Sequence, residues 1–367
     1  MAILLTLSLL QLAAKDGGWQ QQVNAANQLR LQGRYEEAER LYQAALQQAE
    51  RSPAAIPELV GIWNNLSLLY HNQGRYAEAQ ALTEKALAVW GKTSTSADRT
   101  TAIILINLGS VLLTRGKYEE AGRVLRQALS AARKVLGSEH RETLSVLHHL
   151  AVLAYHEKQY TKAERLFREV LAVSERTLGP EHREVAAALS NLAWLYIEVK
   201  RYDEAEALAR RALAIRQRVL GPAHPTVAIS LNNLAEVCAE RGQWAEAERH
   251  YRQALAISEQ TGGPDHPDVA MGLNNLALLY SDRGRYNDAE LLYRRSLSIV
   301  ERSLGTKHPR VAITLGNYAY LLRKTGRRSD AADLEKRAKA IWAGRPEQNR
   351  GFVDVQALRA TKRSRQK

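Results

Sequence analysis

The sequence predicts an all-α fold, a right-handed α-solenoid (superhelix) of about eight antiparallel helix pairs, on three observations. First, an aromatic and an alanine recur three residues apart: Tyr35/Ala38, Tyr76/Ala79, Tyr118/Ala121, Tyr160/Ala163, Tyr202/Ala205, Trp244/Ala247, Tyr286/Ala289 and, with the aromatic replaced, Arg328/Ala331. Successive alanines lie 41 residues apart once and then 42 apart six times. A fixed period of this size marks stacked units that each bury one face on a neighbour, with no single central core. Second, the helix formers Ala, Leu, Arg, Glu and Gln dominate and β-branched runs are few. Third, a residue two positions before the aromatic is glycine in most copies (Gly33, Gly74, Gly116, Gly242, Gly284, Gly326), where a tight turn between helices needs a left-handed residue; Lys158 and Lys200 depart from that pattern at some cost.

The chain divides into an apolar N-terminal segment (1–16), the array (17–343) and a basic tail (344–367). Met1 to Ala14 carries no charged side chain and is too short to span a bilayer comfortably. It reads either as the apolar part of a secretory signal or as a helix capping the first repeat. The signal reading is somewhat favoured, although a basic start is missing and Leu12 fits a cleavage site poorly. A secreted or periplasmic location is accordingly favoured over a cytoplasmic one.

One repeat shows how each element arises. In the copy from Pro225 to Gly263, proline after His224 suits a first helical turn, and Val227, Ile229, Leu231, Leu234, Ala235 and Val237 make a broadly apolar helix A. The chain turns at Gly242. Helix B starts at Trp244 and places Ala247, Tyr251, Ala254, Leu255 and Ile257 inward, with its arginines and glutamates in water. Alanine is required where the two helices cross closely, because a larger side chain would push the axes apart. A loop then closes each repeat, as in Leu178-Gly179-Pro180-Glu181-His182 and Leu220-Gly221-Pro222-Ala223-His224.

These residues resemble the tetratricopeptide repeat family, with its helix-A leucine and small residue, turn glycine and helix-B alanines. The 42-residue period and the Leu-Gly-Pro-x-His-Pro loop are similar to the subtype found in kinesin light chains and in many bacterial proteins. A heptad segment for a heavy chain should precede the repeats of kinesin light chain itself, and here a repeat begins within the first thirty-five residues. The resemblance implies a non-enzymatic protein-interaction scaffold in which helix A lines a concave groove. The alternative is a structural module that packs against another domain, or against itself, without capturing a peptide.

A second helix-A column reads Asn24, Asn65, Asn107, His149, Asn191, Asn233, Asn275 and Asn317. Asparagine is a mediocre helix former, so its repetition implies a shared role. An amide can donate and accept together and so match a peptide bond without regard to side chain, and in related arrays the equivalent ladder holds an extended peptide. Alternatively, each asparagine bonds a carbonyl of the adjacent repeat and fixes the stack. Around the column lie Asn64, Asn232, Asn274, His71, His148, Tyr155, Trp194, Glu236 and Tyr320, which differ between copies as specificity contacts do. The candidate ligand-binding residues are Asn65, Asn107, His149, Asn191, Asn233, Asn275, Asn317, Asn232, Asn274 and Trp194.

The remaining signals point away from chemistry. His140, His182, His224, His266 and His308 recur one per repeat, too far apart for zinc bonds of about 2 Å, and read as loop or capping residues. His148, His149 and His156 share one helix without a completing carboxylate or cysteine. The single cysteine, Cys238, sits in the column of Tyr70, Tyr196 and Tyr280 and reads as a buried filler. No phosphate loop, nucleophile elbow or His-Glu-x-x-His is present, so no catalytic residue, metal ligand or cofactor is expected. The net charge is +13, but seven basic residues against two acidic ones fall in the tail from Arg345. The array is thus only mildly basic, and a protein or peptide partner is expected ahead of nucleic acid. The tail reads as solvated, with Phe352-Val353-Asp354-Val355 a small apolar patch within it.

Overall fold

The computed structural model describes residues 18–51, 56–93 and 98–343; the N-terminal segment, with its signal or capping role, and the tail with its apolar patch lie outside them. Sixteen helices are present among the described residues: α1 (Gly18–Leu31), α2 (Tyr35–Ala49), α3 (Ile56–Asn72), α4 (Tyr76–Thr93), α5 (Arg99–Thr114), α6 (Tyr118–Leu136), α7 (Arg141–His156), α8 (Tyr160–Leu178), α9 (Arg183–Glu198), α10 (Tyr202–Leu220), α11 (Pro225–Glu240), α12 (Trp244–Gly262), α13 (Pro267–Asp282), α14 (Tyr286–Leu304), α15 (Pro309–Lys324) and α16 (Arg328–Trp342). Odd-numbered helices are the A helices and even-numbered ones the B helices of eight pairs. The chain divides into two compact units, Met1–Val146 and Leu147–Lys367. Among the described residues no helix is long and apolar enough to cross a membrane.

The recurrent loop histidines start the A helices. His182, His224, His266 and His308 are each extended N-cap residues whose Nδ1 accepts the backbone N–H two residues on, at 3.0–3.2 Å, and His140 makes the same bond at 3.4 Å. An unprotonated ring nitrogen thereby does the work of the usual serine or aspartate cap; in the third repeat Asp98 does it, accepting from Thr101. Proline follows the cap at Pro225, Pro267 and Pro309, where no N–H is needed.

Between A and B the turn residue lies in the left-handed region, as at Gly242 (φ 76°), and the two lysines at the same position are forced there, Lys158 at 60° and Lys200 at 63°. The turn then recovers the last carbonyls of helix A: Gln243 N bonds Cys238 O at 2.8 Å and Gly242 N bonds Ala239 O at 3.1 Å. The B helices have no side-chain N-cap. Instead the residue before the aromatic pairs with an acid three residues on, as in Arg34–Glu37, Arg75–Glu78, Arg285–Asp288 and Arg327–Asp330, which also puts negative charge in the positive first turn.

Every crossing alanine from Ala38 to Ala331 is fully buried. Opposite it helix A presents another small residue: Ala26, Ser67, Gly109, Ala151, Ala193, Ala235, Ala277 or Ala319. Ser67 Oγ donates to the carbonyl of Ala79 at 2.9 Å, so the two columns meet. At Gly109 a β-carbon would stand 2.5 Å from Leu125 Cδ2, which leaves no room for even a methyl unless that side chain gives way. A second B-helix column one turn pair on (Ala45, Ala86, Ala128, Ala212, Ala254) is equally buried.

Two expectations change. Ile229 is 47% exposed, because at 100° per residue the face centred on Val227, Leu231, Leu234 and Cys238 excludes it. Glu206 and Arg216 on α10 are buried, held by Arg210 and Arg241 in one case and by Ser230 in the other. Arg211 is half-exposed and binds Glu175 at 2.6 Å.

Two substitutions check this account. Ala205→Leu should overpack the α9/α10 crossing and cost about 1–3 kcal/mol in urea unfolding, whereas Arg211→Ala, which loses one exposed ion pair, should cost no more than about 1 kcal/mol. Lys200→Gly should do the opposite and stabilise the chain by about 0.5–1 kcal/mol, since it relieves a left-handed Cβ clash and gives back part of the gain as unfolded-state entropy.

Candidate functional site

The helix period sets the asparagine column on one face of every A helix. Asn24 is exposed and Asn65, Asn107, His149, Asn191 and Asn233 are half-buried, while Asn275 and Asn317 are buried. In three places the amide reaches back to the preceding repeat. Asn107 Nδ2 donates to Asn64 Oδ1 at 2.5 Å, Asn191 Nδ2 meets His148 Nδ1 at 3.0 Å, and Asn317 Nδ2 donates to Asn274 Oδ1 at 3.1 Å. All three partners stand 43 residues earlier, one position before the column in the previous copy. The acceptor is therefore a side chain, not the backbone carbonyl expected for stack-fixing. Helix-interior carbonyls already accept their own i+4 N–H, so a polar side chain is the nearest open acceptor.

The other rungs differ. Ser190, in the rung of Asn233, turns its hydroxyl to its own helix at Ala186 O, 2.9 Å. Asn232, whose rung partner would be Asn275, is buried and its Oδ1 has no donor. Trp194, one turn beyond Asn191, is half-buried and packs its ring 4.2 Å from that of Tyr155. The column thus brings Asn64 with Asn107, His148 with Asn191 and Asn274 with Asn317.

A second polar set escaped the sequence reading. Tyr70 donates to Glu39 at 3.0 Å, while Arg75 binds the same carboxylate at 2.8 Å and lies 3.8 Å above the tyrosine ring. The arrangement repeats with Tyr196, Arg201 and Glu164 (2.9, 2.8 and 4.0 Å) and with Tyr280, Arg285 and Glu248 (2.8, 3.3 and 3.8 Å). Each set joins one repeat's B helix to the next repeat's A helix and turn. Burial works to raise the Glu164 pKa, but the bonds from Arg201 and Tyr196 outweigh it and hold the group below the usual carboxylate range. The signal was available in the sequence only as three separate columns, in which Tyr, Arg and Glu occur together in three copies.

His148 is the electrostatically unusual member of the ladder. Part of its edge reaches solvent, but it is densely surrounded, with Phe167 at 5.7 Å. Burial first, and neighbouring His149 second, push its pKa down to about 3; His156 is lowered by burial to about 4. A neutral ring fits its role, since the Asn191 amide needs an unprotonated Nδ1.

Because both rings resist protonation only when folded, the unfolded chain takes up protons first as pH falls below 6.5. Stability should therefore be full above pH 6.5 and decline toward pH 4, by up to about 1.4 kcal/mol per pH unit for each such ring. His148→Asn keeps an acceptor for Asn191, as Asn64 does for Asn107, and should flatten part of that slope. Urea midpoints from pH 7 to 4 for both proteins provide the check.

Comparison with known families matches the chain to the tetratricopeptide repeat over residues 58–134, 100–156, 142–218, 196–260, 226–302 and 268–343, and again over residues 23–54. No curated protein matches it. Among solved structures it is similar to BtubC (BKLC) from P. vanneervenii, 25% identical over 63% of this chain and 91% of that one with a TM-score of 0.49. Nearly identical TPR-like repeats of a putative kinesin light chain from Podosopora anserina are 28% identical over 54% of this chain and 94% of theirs, at 0.45. A Rap protein complexed with competence and sporulation factor is 14% identical over 88% and 97%, at 0.55, and shares the fold. With its repeats matched from residue 23 to residue 343, the chain belongs to the tetratricopeptide repeat family.

Proposed function

We propose that this chain is a protein-interaction scaffold whose A-helix amides hold the backbone of an extended peptide segment. The observation that carries the reading is Asn232 of the second unit. Asn232 Oδ1 is a buried acceptor without a donor, a costly state that a peptide N–H would relieve. Where rungs are closed, the column amide spends one of its two N–H groups and keeps a carbonyl oxygen and a second N–H, so Asn191 and Asn317 can serve the stack and a ligand together. Trp194 against Tyr155 supplies an apolar surface for a ligand side chain beside Asn191.

The Rap structure's bound competence and sporulation factor shows the fold holding a partner in that protein. The competing reading, an assembly module that packs against another domain or against itself, draws its support from the three closed rungs, which already satisfy amides inside the chain.

A linear-peptide display library selected on the whole protein, followed by binding and unfolding measurements on single variants, separates the two. Asn233→Ala should weaken a selected peptide by about 0.5–1.5 kcal/mol with the unfolding midpoint little changed, while Asn191→Ala should lower both affinity and stability because it also leaves His148. A library that yields no binder, together with concentration-dependent self-association, would favour the assembly module instead.

A further inference from the structure

The sixth repeat breaks the array's pattern at three positions that the fold brings together. Where three copies place a tyrosine on a glutamate it has Cys238, and where its siblings carry Leu166, Leu208 and Leu292 it has His250. At the residue that normally fixes the first-turn acid, Arg201 or Arg285 in neighbouring copies, it has Gln243, so Glu246 is released from its usual cap partner.

We propose that Cys238, Glu246 and His250 form a binding site for one divalent transition-metal cation of the zinc class. The Cys238 sulfur, a Glu246 carboxylate oxygen and a His250 ring nitrogen all lie within 4.8 Å of one another, and bonds of about 2.0–2.3 Å to a central ion need them at about 3.5 Å, a side-chain adjustment of roughly 1 Å. Cys238 is fully buried and His250 is 7% exposed. Neither His250 ring nitrogen has a hydrogen-bond partner, and its nearest acid is Glu246 Oε1 at 3.6 Å. A buried imidazole without a hydrogen bond of normal length, set beside Glu246 and facing a thiol, is better explained as a ligand than as a packing residue in a leucine column.

The charges balance. A thiolate and a carboxylate neutralise a 2+ ion, and imidazole binds as the neutral ring, so the loaded cluster is itself uncharged. Burial, with Glu246 and Glu206 nearby, pushes the thiol up to about 11. It therefore keeps its proton until the metal–sulfur bond forms and the proton leaves to solvent. Glu246 is the partly exposed member, with 31% of its side chain accessible. It marks the entry side, where a water can take the fourth position. Arg249 and Arg210 reach Glu246 Oε1 at 3.3 and 3.6 Å, which leaves the second oxygen for the ion.

The test is a titration of the full chain, stripped with a chelator, with Co²⁺ alone as the probe and Zn²⁺ as competitor. The expected result is one Co²⁺ per chain with a thiolate-to-cobalt charge-transfer band in the near ultraviolet, abolished by Zn²⁺. Cys238→Ala should remove the band, and His250→Leu should weaken binding at least about tenfold, the lower end of what losing even an outer partner of a metal ligand costs. His250→Leu restores the residue of the sibling copies and keeps the test decisive if Cys238→Ala folds poorly. The absence of a charge-transfer band in the unmodified chain, or Co²⁺ affinity unchanged in His250→Leu, would overturn the proposal.

Discussion

The close approach of helix A to helix B at a pair of small side chains is the constraint on which the rest of the structure depends. At each crossing a fully buried alanine faces an alanine, serine or glycine, and the Ser67–Ala79 bond and the Gly109–Leu125 contact show how little space separates the backbones. With the axes this near, longer residues on either side interlock, and the flanking aromatic closes the end of the pair. A uniform crossing also sets a uniform repeat length, because a helix added or shortened by one residue would rotate its small column away from its partner.

That constraint is also why so much of the fold was legible. Alanine at Ala38, Ala79 and their successors has a steric cause that survives without any knowledge of the neighbours, and the turn residues and histidine caps act within a few residues of themselves. The misses share the opposite property. Tyr196 reaches Glu164 across 32 residues and Arg201 reaches it across 37, and no local pattern announces a contact between layers. The burial of Arg216 likewise depends on Ser230 in the next helix. For Cys238 and His250 the columns did hold a signal, since each breaks a run of similar residues, but single departures are common in an array and acquire meaning only once the fold brings them together.

The asparagine column shows how one residue type can tie successive A helices together through side chains alone. Its spacing was plain in the sequence; its partners were not, because the offset of 43 residues, one more than the repeat, arises from how successive A helices slide past each other. Rungs closed by Asn64, His148 and Asn274 hold their amides at fixed angles.

The tyrosine–arginine–glutamate sets make the joints of the array unequal. Layers joined through Glu39, Glu164 and Glu248 carry a stacked, doubly bonded carboxylate, whereas Glu206 meets Arg241 with Cys238 in the tyrosine's place. In a molecule where each layer touches only its neighbours, differences between joints are not averaged over a common core. Thermal opening will accordingly begin at the layer edges that lack the tyrosine and halt at those that have it, so that amide exchange along the chain should rise and fall with the identity of a single side chain per joint.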